Sequence, residues 1–279
     1  MAGFSPEWLA LREPADHEAR NPQVLAAVGG HFADKASLSV LDLGCGAGSN
    51  LRATYAALPH RQHWTLVDHD AELLGFARAR LAAWADEARQ QGEELVLAKD
   101  GKTITVDTRQ VDLNKDLEWV LGWQPDLVTA AALFDLVSRR WIERFVAALA
   151  SQHLPLYAAL THDGRETWLP EHPVDAGIHA AFTNHQHGDK GFGPAAGADA
   201  CEIMAEAFRK SGFAVSSGDS NWLLDAKRRP LQESLAEGIA AAVGETGRLD
   251  PKAIAEWLAA RREARSALIG HQDLWARPI

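Results

Sequence analysis

Asp42-Leu-Gly-Cys-Gly-Ala-Gly48 carries three glycines at alternate positions behind a carboxylate. Without Cβ atoms, Gly44, Gly46 and Gly48 let the backbone turn sharply and bring its amides against a ligand. About twenty residues on, Trp64-Thr-Leu-Val-Asp68 ends in a second carboxylate, suited to accept hydrogen bonds from both hydroxyls of a ribose. Asp112 and Asp135 stand at or near the ends of later apolar runs. The densest polar stretches are Thr161-His-Asp-Gly-Arg-Glu-Thr-Trp-Leu-Pro170 and Asn184-His-Gln-His-Gly-Asp-Lys-Gly-Phe-Gly-Pro194.

Periodicity supplies the frame for these residues. Ser39 to Leu43 reads as a short apolar strand, and Leu51, Ala53, Tyr55, Ala56 and Leu58 follow with helical spacing. Strand, glycine turn, helix and a strand ending in an acid make the first unit of a nucleotide-binding α/β sheet. The dinucleotide pattern G-x-G-x-x-G is not met, because Ser49 stands where its third glycine belongs. Residues 1–36 read as an N-terminal helical cap. Asp70 either contacts the ribose or caps the helix after Asp68.

Leu95 to Val106 alternates about Asp100-Gly101, a strong turn signal, and reads as a hairpin insertion over 93–106. A third core strand then leads into Val111-Asp-Leu113. Pro125 to Val137 gives a fourth strand whose end, Ala131 to Asp135, reaches the edge of the glycine turn. Trp141–Ala150 reads as a helix, Leu154–Thr161 as the fifth strand, and 161–197 as a polar insertion on that edge. Ala198–Ser211 and Gly212–Ser217 give a helix and a sixth strand. A helical insertion over 225–264 (Leu231–Val243 and Pro251–Arg265) precedes a last strand, Ser266–Trp275.

The Asp-x-Gly-x-Gly-x-Gly form resembles the first motif of class I S-adenosylmethionine-dependent methyltransferases. Ser220-Asn-Trp-Leu-Leu and Ile269-Gly-His-Gln-Asp-Leu-Trp-Ala-Arg-Pro look like bacterial small-molecule members. The resemblance implies one α/β domain over 1–279. It implies a Rossmann-like, seven-stranded, mostly parallel sheet with an antiparallel last strand, helices on both faces and helical insertions on the ligand edge. It also implies S-adenosyl-L-methionine as cofactor. Gly44, Cys45, Gly46, Gly48 and Ala131 would line it, and Asp68 with His69 would meet the ribose. Asp112 and Leu113 would meet the adenine; the alternative for Asp112 is a turn aspartate that satisfies its own backbone. Arg20 either takes the methionine carboxylate or pairs with Glu13 or Asp16 on the surface. The Asn/Asp-Pro-Pro-Tyr/Phe motif of nucleic-acid and glutamine methyltransferases is replaced here by Ala131-Ala-Leu-Phe-Asp135.

Transfer of such a methyl group is an in-line displacement, in which positioning alone can contribute about 7–11 kcal/mol. A base is needed only for a protonated nucleophile; His185, His187 and Asp135 are the candidates. Phe134, Asp189, Lys190 and Trp222 are candidates for substrate contact, Trp222 by stacking or else as core. The 184–194 stretch allows three readings: a substrate pocket, a metal site of His185, His187 and Asp189 with His162 or His172, or an ordered loop. The pocket is preferred and no metal is expected, because His-x-His lacks a strong companion pair.

The expected function is methyl transfer to an O or N atom of a small molecule. A cofactor-binding regulator without transfer and a protein methyltransferase are the alternatives; Ser49 and the antiparallel last strand argue against a nicotinamide oxidoreductase. The net charge of −10 argues against a nucleic-acid partner. Two cysteines, no signal-like N-terminus and no apolar run of membrane-spanning length suit a soluble cytoplasmic protein. Oligomeric state is not encoded in any of these features.

Overall fold

A computed structural model describes residues 4–279; the first three residues of the expected N-terminal cap lie outside it. The chain begins with α1 (Pro6–Ala19), capped by Ser5 Oγ accepting the Trp8 amide, and α2 (Pro22–His31), capped by Asn21. Next come β1 (Ser37–Leu43), α3 (Ser49–Thr54), β2 (Arg61–Asp68) and α4 (Ala71–Trp84). Asp70 Oδ1 accepts the amides of Glu72 and Leu73, which makes it the cap of α4. β3 (Glu87–Gln91), β4 (Glu94–Lys99) and β5 (Lys102–Gln110) follow, then α5 (Leu113–Leu121), β6 (Leu127–Ala131) and α6 (Arg139–Ser151). The remainder is β7 (Leu156–Leu169), α7 (Asp175–Gln186), α8 (Ala200–Lys210), β8 (Phe213–Asp219), β9 (Trp222–Leu224), α9 (Arg229–Thr246), α10 (Pro251–Arg262) and β10 (Ser266–Pro278).

The strands form one sheet in the order β3-β4-β5-β2-β1-β6-β7-β10-β8, with β9 added against β10. Seven of them, β5-β2-β1-β6-β7-β10-β8, make the expected core, and β10 runs antiparallel between β7 and β8. The sheet is larger than seven strands because β3, β4 and β9 are added to it. The Asp100-Gly101 hairpin is therefore not a detached insertion: its second arm, β5, pairs in parallel with β2 and is itself the third core strand. β3 eluded the sequence because all of its residues are exposed, so no apolar alternation marks it.

Helices cover both faces. Leu41, Leu43, Val128, Ala130 and Leu156 pack under α5, α6 and α8, while Val40, Trp64, Leu66, Ile104 and Tyr157 pack under α2, α3 and α4. Each fully buried large apolar side chain in these layers contributes about 1.5–3 kcal/mol.

A third core stands above the carboxyl edge of the sheet. β7 pairs with β6 only as far as Ala159, then runs on against β10 to Leu169. The stretch from Thr161 to Leu169 is thus strand, not the polar loop expected. Its polar residues gave no apolar period because this part stands clear of the parallel sheet. Trp168 and Ile269 from this ribbon pack with Trp222, Ile178 of α7, Ile239 and Val243 of α9 and Trp257 of α10. The helices of the 225–264 stretch bury their apolar stripes here. Among the described residues no helix is long and apolar enough to cross a membrane.

Candidate functional site

The turn after β1 holds Gly44, Gly46 and Gly48 at φ +61°, +50° and +71°, a region that disfavours any Cβ. Space is short as well: a Cβ on Gly46 would lie 3.3 Å from Leu9 of α1, and one on Gly44 3.3 Å from Leu133. The turn is tied to the next strand. The Cys45 amide donates to the Val67 carbonyl at 3.0 Å, and the Gly46 amide donates to Asp68 Oδ2 at 2.9 Å. Asp68 Oδ1 accepts the Asp70 amide at 3.0 Å and lies 3.1 Å from His69 Nδ1. Asp68 Oδ2, with only the Gly46 amide on it, keeps one lone pair for a ligand. Cys45 is buried, and burial raises its thiol far above the ordinary range, so it is an inert part of the turn.

Beneath the turn, Asp42 is fully buried. Asn50 Nδ2 donates to its Oδ1 at 2.7 Å, while Oδ2 is sealed and unpartnered. Burial pushes this carboxyl up to about 7, against the opposing effects of Asn50 and Arg20. Arg20, the residue that ends α1, is buried with Nε and Nη1 unpartnered. Burial opposes its charge, but Tyr157, Asp273 and Asp16 more than offset that and hold it protonated. Asp273 is fixed in turn, accepting from Tyr157 Oη at 3.0 Å and the amides of Leu160 and Asn21. A buried cation and a buried acid thus stand at one strand edge with hydrogen-bonding capacity unspent.

α1 lies across this edge. Glu13 joins Arg52 Nε at 2.6 Å and Arg80 Nη2 at 2.5 Å, and His17 Nε2 lies 2.9 Å from Ser49 Oγ. Arg12 pairs with Asp16 at 2.9 Å and stacks on Trp222, 4.8 Å from the ring centroid. Trp222 Nε1 donates to Asp16 at 3.0 Å. The cation over Trp222 is therefore this chain's own arginine, and the indole, 3% exposed, is core to the cap rather than a free stacking platform.

The other residues singled out in the sequence are placed as follows: the Val111 amide donates to the Asp68 carbonyl at 2.8 Å, which sets Asp112 beside the end of β2. Asp112 caps α5: its Oδ1 accepts the Asn114 amide, Oδ2 pairs with Lys115, and the lysine lowers its pKa. Leu113 is buried behind it, and Ala131 ends β6 half-buried. Phe134 is 1% exposed among Trp141 and Phe145, so it cannot touch a substrate. His185 Nε2 lies 3.0 Å from Glu245, and His187 Nδ1 donates to the Ala195 carbonyl at 3.0 Å. Neither ring is directed to Asp68 or Arg20 by these bonds. Asp189 Oδ1 accepts the amides of Gly191 and Gly193 and closes the turn, and half-buried Lys190 makes no ion pair among the described residues. Among the described residues no three His, Cys, Asp or Glu side chains converge as a metal ligand set.

Asp135 is brought beside His162 and Arg12, and its Oδ1 is buried without a partner. Burial raises this carboxyl, with His162 and Arg12 opposing. Sequence reasoning missed Arg12, His271 and Gln186, which share this corner. His271 is 5% exposed, its ring 5.0 Å from Trp222 and 5.7 Å from His162, and Gln186 Nε2 lies 3.5 Å from His162 Nδ1. Only the pairing of β7 with β10 reveals this corner. Two non-glycine residues there, Ala132 and Leu160, have φ of +52° and +54°, a strained geometry that concentrates at functional sites.

No protein-family model matches the sequence, and no curated protein matches it. Solved structures do. The cyclopropane synthase MmaA2 of Mycobacterium tuberculosis is similar over 98% of this chain and 95% of its own, at 13% identity and a TM-score of 0.50. The YcgJ protein of Bacillus subtilis is similar over 92% of this chain and 99% of its own, at 12% identity and a TM-score of 0.50. A SAM-dependent methyltransferase of Thiobacillus denitrificans, solved with S-adenosyl-L-homocysteine, is similar over 98% of each chain at 16% identity, with a TM-score of 0.45. At these identities the likeness is one of fold. The chain has the Rossmann-like fold of class I methyltransferases.

Proposed function

We propose that this protein is an S-adenosylmethionine-dependent methyltransferase that acts on an O or N atom of a small molecule. The observation that carries the reading is the pair of buried, unpartnered groups beside the glycine turn. Arg20 is the donor set for a carboxylate and Asp42 the oxygen for an ammonium, the two ends of an amino acid, on a ligand whose entry opens atoms that are sealed without it. Asp68, fixed by Gly46 and Asp70, is ready for the ribose hydroxyls. A nucleoside joined to an amino acid fits this set.

When bound, S-adenosylmethionine supplies an electrophilic methyl group on a positively charged sulfur. The chain's part is to position. Leu9 and the rest of α1 cover the glycine turn and exclude water, while the cap core holds the acceptor side of the edge rigid. A soluble small acceptor suits an edge roofed by packed helices, and the acidic charge lowers the case for RNA.

The test is calorimetric titration with S-adenosylhomocysteine, repeated with Asp68→Ala. Micromolar binding that the variant loses supports the assignment. Absence of binding by the wild type ends it.

A further inference from the structure

We infer that His271, seated with His162 and Arg12 above the ends of β6 and β7, accepts the proton of a hydroxyl-bearing acceptor. This rests on the methyl-transfer reading and adds a residue and a substrate class to it.

Placement comes first. His271 lies two residues before Asp273 on β10, about 7 Å along the strand, where the register against β7 shifts between Ile269 and His271 and again between Gln272 and Leu274. Asp273 flanks Arg20, so His271 borders the pocket proposed for the amino-acid end of the cofactor. α1 spans both positions, with Arg12 stacked on Trp222 beside His271 and Arg20 beside Asp273. From the other side, Asp135 and Gln186 approach His162, which pairs with His271 across β7 and β10.

The protonation state follows from a hydrogen bond. His271 Nδ1 lies 3.1 Å from the Ile269 carbonyl, which only accepts, so Nδ1 carries the proton and Nε2 the lone pair. The backbone at this position is held as well, the His271 amide donating to Asn221 Oδ1 at 3.2 Å. Among the described residues Nε2 has no hydrogen-bond partner, yet it is not one of the sealed atoms. Nε2 is left with a free lone pair on a ring whose other nitrogen is fixed.

The surrounding field selects the substrate. Burial keeps His271 neutral well below the ordinary histidine range, and His162 and Arg165 of β7 with Arg12 of α1 add to this. Arg12, Arg165 and His162 repel an acceptor that arrives as an ammonium, whereas a neutral hydroxyl meets no such repulsion and pays only its desolvation. During transfer the oxygen lone pair bonds the methyl carbon, the carbon–sulfur pair stays on sulfur, and the hydroxyl proton passes to Nε2. An oxygen gaining a third bond is strongly acidic, so a weakly basic imidazole is sufficient.

The experiment has parts that fail separately. Calorimetry with S-adenosylhomocysteine on wild type and H271Q comes first. A wild type that does not bind overturns methyl transfer itself, whatever His271 does. Nitrogen-15 NMR of His271 is expected to show the Nδ1–H tautomer, with Nε2 unprotonated at pH 6. An Nε2–H tautomer, or titration near 6.5, overturns the assignment without any assay of turnover.

Methyl-labelled S-adenosylmethionine is then offered with phenols, catechols, aliphatic alcohols and hydroxy acids, and separately with amines. Label on a hydroxyl compound supports the inference; label on amines alone, or on no hydroxyl compound while S-adenosylhomocysteine binds, overturns it. On the labelled compound H271A lowers kcat by about 10²–10⁴-fold with KM little changed, and free imidazole restores part of the rate. A loss confined to KM, or an unchanged kcat, overturns the inference.

Discussion

Gly46 and Asp68 are joined across two strands: the amide of the turn residue donates to Oδ2 of the residue that ends β2. One carboxylate thus shapes the glycine turn and presents itself to a ribose. Asp68→Ala removes both functions. Hydrogen bonds to a charged group contribute about 1.5–3 kcal/mol each, so affinity for adenosine and for S-adenosylhomocysteine is expected to fall together, by tenfold or more. Parallel titrations with the two ligands check this.

Arg20 separates the two ends of the ligand. Its Nε and Nη1 donors are buried without a partner, and adenosine has no carboxylate to meet them. Arg20→Gln is expected to weaken S-adenosylhomocysteine by about 10–100-fold and to leave adenosine unchanged. Equal losses for both ligands would assign Arg20 to holding the fold.

The parallel half of the sheet and the glycine turn were legible because each follows from a local rule. An apolar run bounded by turn residues makes a buried strand, and alternate glycines make a turn that a ligand can approach. The antiparallel last strand followed from the resemblance. The acceptor corner was not legible. His162 and His271 are 109 residues apart, and only the register of β7 with β10 sets them opposite. His185 and His187 drew attention because they crowd together in sequence, yet a helix end and a turn spend them on Glu245 and Ala195. Local density of polar residues marked a tight turn; the convergent groups, Arg12, Asp135, His162, Gln186 and His271, came from five distant segments.

Asp42 gives the molecule a pH signature. The native carboxyl holds its proton up to about 7, whereas the unfolded chain releases it near 3.8. Between those values the folded state binds the extra proton, so stability falls as pH rises, by at most about 1.4 kcal/mol per unit. Asp42→Asn should remove this slope from thermal melts at pH 5 to 8. An ammonium brought beside Asp42 favours its ionised form. Binding of S-adenosylhomocysteine at pH 6 is therefore expected to release up to one proton, and at pH 8 none. Calorimetry in buffers of different ionisation enthalpy measures this directly, and Asp42→Asn should abolish it.

Glu13 fastens α1 to the body of the protein. It is 7% exposed and joins Arg52, which is equally buried, and the partly exposed Arg80. Removing one partner of such a pair strands the other charge in a medium that solvates it poorly. Glu13→Gln is expected to cost about 3 kcal/mol, while the double variant with Arg52→Gln recovers much of the loss, because only the partly exposed Arg80 is then left unpaired. Chemical denaturation of the two singles and the double measures the coupling. Arg12 and Arg20 lie on or at the end of the same helix, so loosening it should reach the ligand. Amide exchange over residues 6–20 is expected to rise in Glu13→Gln. S-adenosylhomocysteine should weaken more than adenosine, since only the former depends on Arg20. Faster exchange with unchanged affinity for S-adenosylhomocysteine would separate α1 from the binding site.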